Sequence, residues 1–274
     1  MGRPMALHLA QAGHHVHVYN RTHAKAFSME PMVKAFSTIE ECVKDCEVII
    51  TLVGYPKDVE ETYETVMKYA SKGAILIDMT TSSPSLAKKL YLMGRKKGYY
   101  VLDAPVTGGD LGAINGTLSI MVGGDFSIYE KVYPLFTKMG KTINYMGNAG
   151  SGMHAKLANQ IAIAGAIAGL SEALRYAQIK ELDLERMLGV ITGGSANSWQ
   201  AQNNGPKMIQ KDYTPGFFVK HFLKDLRLAM DEKEGLPLDV LSMVTKAYET
   251  LVAMGHQDDG TQSLIEVYLN PNVH

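Results

Sequence analysis

The sequence predicts an α/β protein: a Rossmann-like amino-terminal domain built on a parallel sheet, then an all-α carboxyl-terminal domain joined to it by a long helix. Three observations predict this. Up to Tyr145, short apolar runs of β type alternate with helix-type segments of about 10–15 residues, the rhythm of βαβ units. After Gly147 no further β-type run is convincing, and Gly and Pro punctuate helical segments instead. Between the halves, Met153 to Ala177 reads as one helix with Ala and Gly along one face. The boundary falls near Gly147 to Gly152, which gives domains 1–149 and 150–274.

The elements follow in order. Pro4 to Ala12 reads as a short helix, with Pro near its first turn and Gly13 just past its end. His15 to Tyr19 alternates Val16 and Val18 with polar residues, a strand pattern. Thr38 ahead of Glu40 and Glu41 marks a helix start. Glu47 to Leu52 is a strand of buried type, Asp58 to Ala70 a helix, and Ala74 to Met79 a second buried strand. Ser82-Ser83-Pro84 opens the next helix and Gly98 ends it. Tyr99 to Ala104 is a strand that runs into a glycine-rich loop; Thr117 to Val122, a helix over Phe126 to Met139 and a strand over Thr142 to Tyr145 complete the half. Helical segments then follow at Leu184 to Ile191, Phe217 to Glu234 and Leu238 to Met254. In parallel sheets of this kind, ligands sit at the carboxyl ends of the strands, so the loops there are the places to search.

Composition narrows the function classes. A chain of 274 residues, 46% hydrophobic and 20% charged, can build one or two domains with real cores and is not a disordered chain. A net charge of -1 argues against a nucleic-acid partner, which calls for a basic stripe. No apolar run approaches the ~18–20 residues of a membrane span, and no signal peptide is visible, so no membrane partner is expected. Cys42 and Cys46, four residues apart, read as buried thiols on one helix face, which suits a reducing cytoplasm. His14, His15 and His17 have no carboxylate or Cys beside them in sequence and read as ordinary core or surface residues, so no metal is expected. Trp199 reads as simple packing, with a place beside the substrate cleft or a subunit contact as the other reading.

The opening, Met1-Gly2-Arg3-Pro4, reads like a domain entered in the middle. A dinucleotide-binding fold begins with a strand, a G-x-G-x-x-G turn and a helix that receives the pyrophosphate at its N-terminus. Gly2 ahead of a helix looks like the end of that turn; taken alone, it is an ordinary helix-leading glycine. Asn20-Arg21-Thr22 ends the strand that would face the adenosine ribose. It offers an amide, a cation and a hydroxyl with no carboxylate, which favours the 2′-phosphate of NADP over the free hydroxyl of NAD. Taken alone, it is a polar turn with a solvated Arg.

Five segments in order resemble the β-hydroxyacid dehydrogenase family, the group of 3-hydroxyisobutyrate dehydrogenase, tartronate semialdehyde reductase and glyoxylate/succinic semialdehyde reductase. Met1 to Ala6 is similar to the end of the family's G-L-G-x-M-G-x-P-M-A opening, and Asp78 to Pro84 to its D-x-S-T-x-S-P stretch. Asp103-Ala104-Pro105-Val106-Thr107-Gly108-Gly109 resembles D-A-P-V-S-G-G. Gly147 to Gln160 resembles G-x-x-G-x-G-x-x-x-K-x-x-N-N, and Lys224-Asp225-Leu226 the K-D-L segment. Against this pattern, the chain is expected to lack the first strand and the start of the glycine-rich turn.

The resemblance implies an oxidoreductase that moves hydride between NADP(H) and a small β-hydroxy acid or its semialdehyde. Lys156 becomes the general acid and base, and Asn159 orients the substrate or Lys156. Thr107, Gly108 and Gly109 hold the substrate carboxylate through backbone N–H groups, a role two glycines permit sterically. Thr107 stands where the family usually has Ser, and Gln160 where it has a second Asn. Gln160 and Asp225 are assigned to the substrate end of the cleft. Gly2, Asn20, Arg21 and Thr22 are assigned to the cofactor, as are Val53, Gly54, Thr81 and Lys224. Without the resemblance, Lys156 and the Lys224-Asp225 pair read as solvated helix residues. The family is typically dimeric or tetrameric, so a homodimer or homotetramer is expected. The alternatives are a non-catalytic or inactive truncated homologue, a 6-phosphogluconate dehydrogenase-like enzyme, and an imine reductase-like enzyme, which usually lacks Lys at position 156.

Overall fold

A computed structural model of the chain describes residues 1–270. It divides into two compact units, the first Met1–Lys156 and the second beginning at Leu157. The first contains α1 (Gly2–Gln11), β1 (His17–Tyr19), α2 (His23–Phe27), β2 (Lys34–Phe36), α3 (Ile39–Val43), β3 (Val48–Thr51), α4 (Pro56–Tyr69) and β4 (Ile75–Asp78). It continues with α5 (Pro84–Lys97), β5 (Tyr100–Asp103), β6 (Val106–Thr107), α6 (Gly109–Ile114), β7 (Leu118–Gly123), α7 (Phe126–Met139) and β8 (Gly140–Gly147). The helix α8 (Ser151–Ile179) starts in this unit and runs on into the second.

The apolar runs form the sheet because both of its faces are buried. Ile75 and Ile77 of β4 point to one face, against Met5 and Leu9 of α1 and Val132 and Phe136 of α7. Leu76, between them, points to the other, against Tyr63 and Val66 of α4 and Leu90 of α5. Burying each such side chain contributes about 1.5–3 kcal/mol. Helix α5 lies so close to β5 that a Cβ at Gly94 would overlap Val101. Helix starts follow local chemistry: the Thr38 hydroxyl accepts from Glu41 N at 3.2 Å and donates to the Glu41 carboxylate, and the Ser83 hydroxyl accepts from Leu86 N at 3.1 Å. Gly98 closes α5 in the left-handed conformation at φ 80°.

Three features correct the sequence reading. The six-stranded sheet runs β3-β4-β5-β7-β6 with β8 beside β7, and it is mixed: β7 is antiparallel to β5 and β6. Gly108 to Thr117 are too few residues for a parallel crossover, which takes a dozen or more, so the chain turns back on itself there. Strands β1 and β2 form a separate two-stranded parallel sheet, with β2 and α2 too short to show a periodic signal. Helix α3 ends at Val43, so Cys46 lies beyond it; both thiols are half-buried rather than buried. The Cys46 thiol donates to the Cys42 carbonyl, and the imidazole of His17 stands 3.6 Å from its Sγ. Burial pushes the Cys42 thiol up to about 12.

The second unit adds α9 (Leu184–Gly193), α10 (Trp199–Asn203), α11 (Gly205–Gln210), α12 (Val219–Asp231), α13 (Asp239–Ala253), a 3-10 turn (Thr261–Leu264) and α14 (Ile265–Leu269). Its core joins Ala164, Ile167 and Leu174 of α8 to Phe222 and Leu226 of α12 and to Val244 and Tyr248 of α13. The rings of Phe222 and Tyr248 meet edge to face at 5.1 Å. The short α10 and α11 escape the sequence pattern because Gly205-Pro206 reads there as punctuation. Trp199 is 55% exposed, contrary to a packing role. Helix α8, 29 residues with an 18-residue stretch of mean hydropathy 1.3, is long and apolar enough to cross a membrane by length and composition, although no single run showed it. Of that stretch 44% is buried, and the core it helps to build accounts for its apolar character.

Candidate active site

Register places four residues in one row across the carboxyl ends of the sheet: Thr51 opposite Asp78, Asp78 opposite Asp103, and Asp103 opposite Gly123. Both carboxyl groups are buried, and each organises a loop. Oδ1 of Asp78 accepts from the Thr51 hydroxyl at 3.0 Å and from Thr80 N at 3.1 Å. Thr80 in turn accepts from Val53 N at 2.9 Å. The loops that hold Val53, Gly54 and Thr81 are thus tied to one side chain. Burial raises the Asp78 carboxyl to about 6, against the pull of the Thr80 and Thr51 hydrogen bonds.

Asp103 reaches forward instead. Its Oδ1 accepts from Gly150 N at 2.8 Å and its Oδ2 from Met153 N at 2.9 Å, so the carboxylate seats the first turn of α8. Burial raises this carboxyl too, and the backbone N–H groups oppose the shift. Lys156 stands one turn further along α8 and is only 6% exposed. Asn159 and Gln160 follow on the same helix face.

The turn from β6 into α6 carries Thr107-Gly108-Gly109. Gly108 lies at φ 121° and Gly109 at φ 66°, backbone that side chains rarely adopt, and a Cβ on Gly109 would meet open space. Conformation, not crowding, therefore calls for glycine at Gly109. At the end of β1, the Asn20 side chain accepts from Thr22 N at 2.9 Å. The side chain of Arg21 is 77% exposed, and its guanidinium pairs with Asp58 at 3.1 Å. Asp58 also accepts from Tyr55 N at the start of α4. Gly2 opens α1, which has no side-chain cap, and a Cβ there would lie 3.7 Å from Leu52 at the end of β3, an ordinary contact. A helix start beside a strand end, with an accessible guanidinium, fits an anionic dinucleotide.

In the second unit, Asp225 of α12 is 1% exposed. Its Oδ2 accepts from the Gln160 amide at 2.7 Å, and its Oδ1 lies 3.0 Å from the Lys224 ammonium. The Asn159 amide donates to Gln160 Oε1 at 3.1 Å. Asn159, Gln160, Lys224 and Asp225 are therefore one connected group, with Gln160, at 1% exposure, at its centre. Sequence reasoning missed what Asp78 and Asp103 do. The available signal was a carboxylate closing an otherwise apolar β run, as in Ile75-Leu76-Ile77-Asp78 and Tyr100-Val101-Leu102-Asp103. Among the described residues there is no cluster of three side chains suited to a metal ion.

Comparison with known proteins gives matches in both units. Residues 1–147 match the NAD binding domain of 6-phosphogluconate dehydrogenase, and residues 150–268 the NAD-binding domain of NADP-dependent 3-hydroxyisobutyrate dehydrogenase. An uncharacterised oxidoreductase of Bacillus subtilis (strain 168) is 46% identical, covering 98% of this chain and 96% of that one. The 2-hydroxy-3-oxopropionate reductase of Escherichia coli (strain K12) is 34% identical, covering 97% and 93%. Among solved structures, the 3-hydroxyisobutyrate dehydrogenase of Mycobacterium tuberculosis with L-serine superposes with a TM-score of 0.90 at 30% identity, over 98% of this chain and 96% of that one.

Proposed function

From the premise that the chain belongs to the β-hydroxyacid dehydrogenase family, and is an NAD(P)-binding oxidoreductase of the 3-hydroxyisobutyrate dehydrogenase type acting on CH–OH groups, we propose its finer chemistry. It reduces a small carboxylate-bearing semialdehyde to the β-hydroxy acid, and reverses that reaction, with NADP(H) and with Lys156 as general acid and base. One observation carries the reading: a lysine ammonium at 6% exposure, one helical turn beyond a junction seated at the carboxyl ends of β5 and β7. A buried ammonium at the ligand end of such a sheet suits proton transfer better than solvation.

The nicotinamide cofactor supplies the hydride. Lys156 gives a proton to the carbonyl oxygen in reduction and takes it from the hydroxyl in oxidation. The N–H groups of Thr107-Gly108-Gly109 hold the substrate carboxylate. Arg21, with Asn20 and Thr22, takes the 2′-phosphate, and the α1 start at Gly2 faces the pyrophosphate. Val53, Gly54 and Thr81 border the nicotinamide. By the family resemblance, Asn159, Gln160 and Asp225 are assigned to the substrate and Lys224 to the cofactor. Exposed apolar side chains of the helical unit, among them Tyr176, Ile179, Val190 and Met243, support a homodimer or homotetramer.

The test is a reductase screen of short semialdehydes with NADPH and NADH on the parent and on Lys156→Ala. The variant is expected to lose about 10²–10⁴ in kcat, the span of a missing general acid. Near-normal turnover by Lys156→Ala overturns the assignment.

A further inference from the structure

We infer that Asp103 is the positioning residue for Lys156: its carboxylate sets where α8 begins, and with that the height and rotation at which the lysine stands. The inference rests on the reading of Lys156 as general acid and base. Four observations within the first unit carry it. The first N–H groups of any helix lack intrahelical partners, and here Asp103 takes those of Gly150 and Met153. Those two bonds come from the two oxygens of one side chain, so they fix a direction as well as a place. The socket is tight on both sides: a Cβ at Gly123 would lie 2.6 Å from Asp103 Oδ1, and one at Gly152 would lie 2.6 Å from the Asp103 carbonyl and 2.9 Å from Oδ2. A further tie, Ser82 N to Met153 Sδ at 3.4 Å, holds the same turn to the loop after β4.

From Met153 to Lys156 is less than one turn of helix, with no glycine or proline between them to absorb a shift. A displacement of the seated turn is therefore passed to the ammonium undiminished. Asp103 itself need not touch substrate or cofactor. Its side chain is spent on the helix, and its opposite number in the sheet register, Asp78, is spent on the Val53 and Thr81 loops. The paired carboxylates thus divide the work, one setting the cofactor loops and the other the lysine.

The experiment compares the parent with Asp103→Asn, which keeps the shape but sets an amide N–H against one of the two backbone donors. Three quantities are read on protein shown to be folded by circular dichroism. They are kcat with 2-hydroxy-3-oxopropionate and NADPH, the Kd of NADPH by fluorescence titration, and acetylation of Lys156 by acetic anhydride. Acetylation is scored by peptide mass spectrometry relative to Lys57, an exposed reference on α4. The variant is expected to lose about tenfold or more in kcat, to keep its NADPH Kd within about twofold, and to acetylate Lys156 several-fold faster. Unchanged Lys156 labelling in a folded variant overturns the inference, because a cap with no say over the lysine would leave labelling untouched. Faster labelling supports the inference whatever the turnover; if kcat then stays at the parent value, it is the acid–base role of Lys156 that fails. Should Asp103→Asn not fold, hydrogen exchange on the parent decides. Amides 150 and 153 are expected to exchange as slowly as helix interior, and exchange at the rate of a fraying helix end overturns the inference.

Discussion

Replacing Asp78 by Asn isolates the energy stored in a buried carboxylate. In the fold, burial raises this group from 3.8 to about 6. A raised folded-state value means the native protein holds the proton more tightly than the unfolded chain, so native stability falls as pH rises through that window. Well below pH 3.8 both states are protonated and the penalty vanishes. Above about pH 7 both are ionised and the penalty is complete, on the order of 3 kcal/mol from a shift of this size. Asn keeps the geometry, since the single atom Oδ1 accepts both the Thr51 and Thr80 hydrogen bonds and an amide oxygen accepts both equally. The stability difference between Asp78→Asn and the parent is therefore expected to move in favour of the variant by roughly 2–3 kcal/mol between pH 4 and pH 8, most of it by pH 6. Urea unfolding at a series of pH values measures this, with m unchanged as the check on a common unfolding transition. Constant costs of the amide cancel in the pH dependence. A flat difference would refute the reasoning, and so would one of opposite slope, the mark of a carboxylate stabilised as the anion.

The remaining predictions concern the second unit and the cofactor end. Gln160→Leu removes the donor to the buried Asp225 carboxylate at nearly constant volume; the cost is expected at about 1.5–3 kcal/mol, read as a fall of several degrees in Tm, and an unchanged Tm would show the contact to be dispensable. If Arg21 takes the 2′-phosphate as proposed, Arg21→Ala is expected to weaken NADPH binding about tenfold or more in a direct titration while NADH, which lacks that group, changes little. Equal losses for both nucleotides would remove Arg21 from the basis of cofactor choice.

Much of this was legible in the residues, for definite reasons. Helix starts announced themselves through Thr38 and Ser83, whose hydroxyls cap as their positions imply. The helix Phe126–Met139 matches its amphipathic span residue for residue. Strands buried on both faces betray themselves as unbroken apolar runs, and β3, β4 and β5 did so. The three-residue β2 and the five-residue α2 carry too few positions for any period. Strand direction was hidden as well, because the antiparallel turn of β6 into β7 depends on the length of a connection, not on the composition of either strand. In the candidate site, Lys156 was singled out through the family resemblance, since its pattern alone reads as a solvated helix residue. The wiring was not legible: that Gln160 reaches Asp225, or that Asp103 reaches Gly150 and Met153, is a fact of tertiary distance that spans 65, 47 and 50 positions of chain.

The seat of α8 on Asp103 also imposes a rule on chain length. Each residue added to a helix turns everything beyond it by about 100°. One residue inserted between Met153 and Lys156 would carry the ammonium about a quarter of the way round the barrel of the helix while leaving the anchored turn where it is. Side chains in that interval are open to exchange, but the count of residues is not. The interval behaves as a ruler, and the quantity it preserves is an angle.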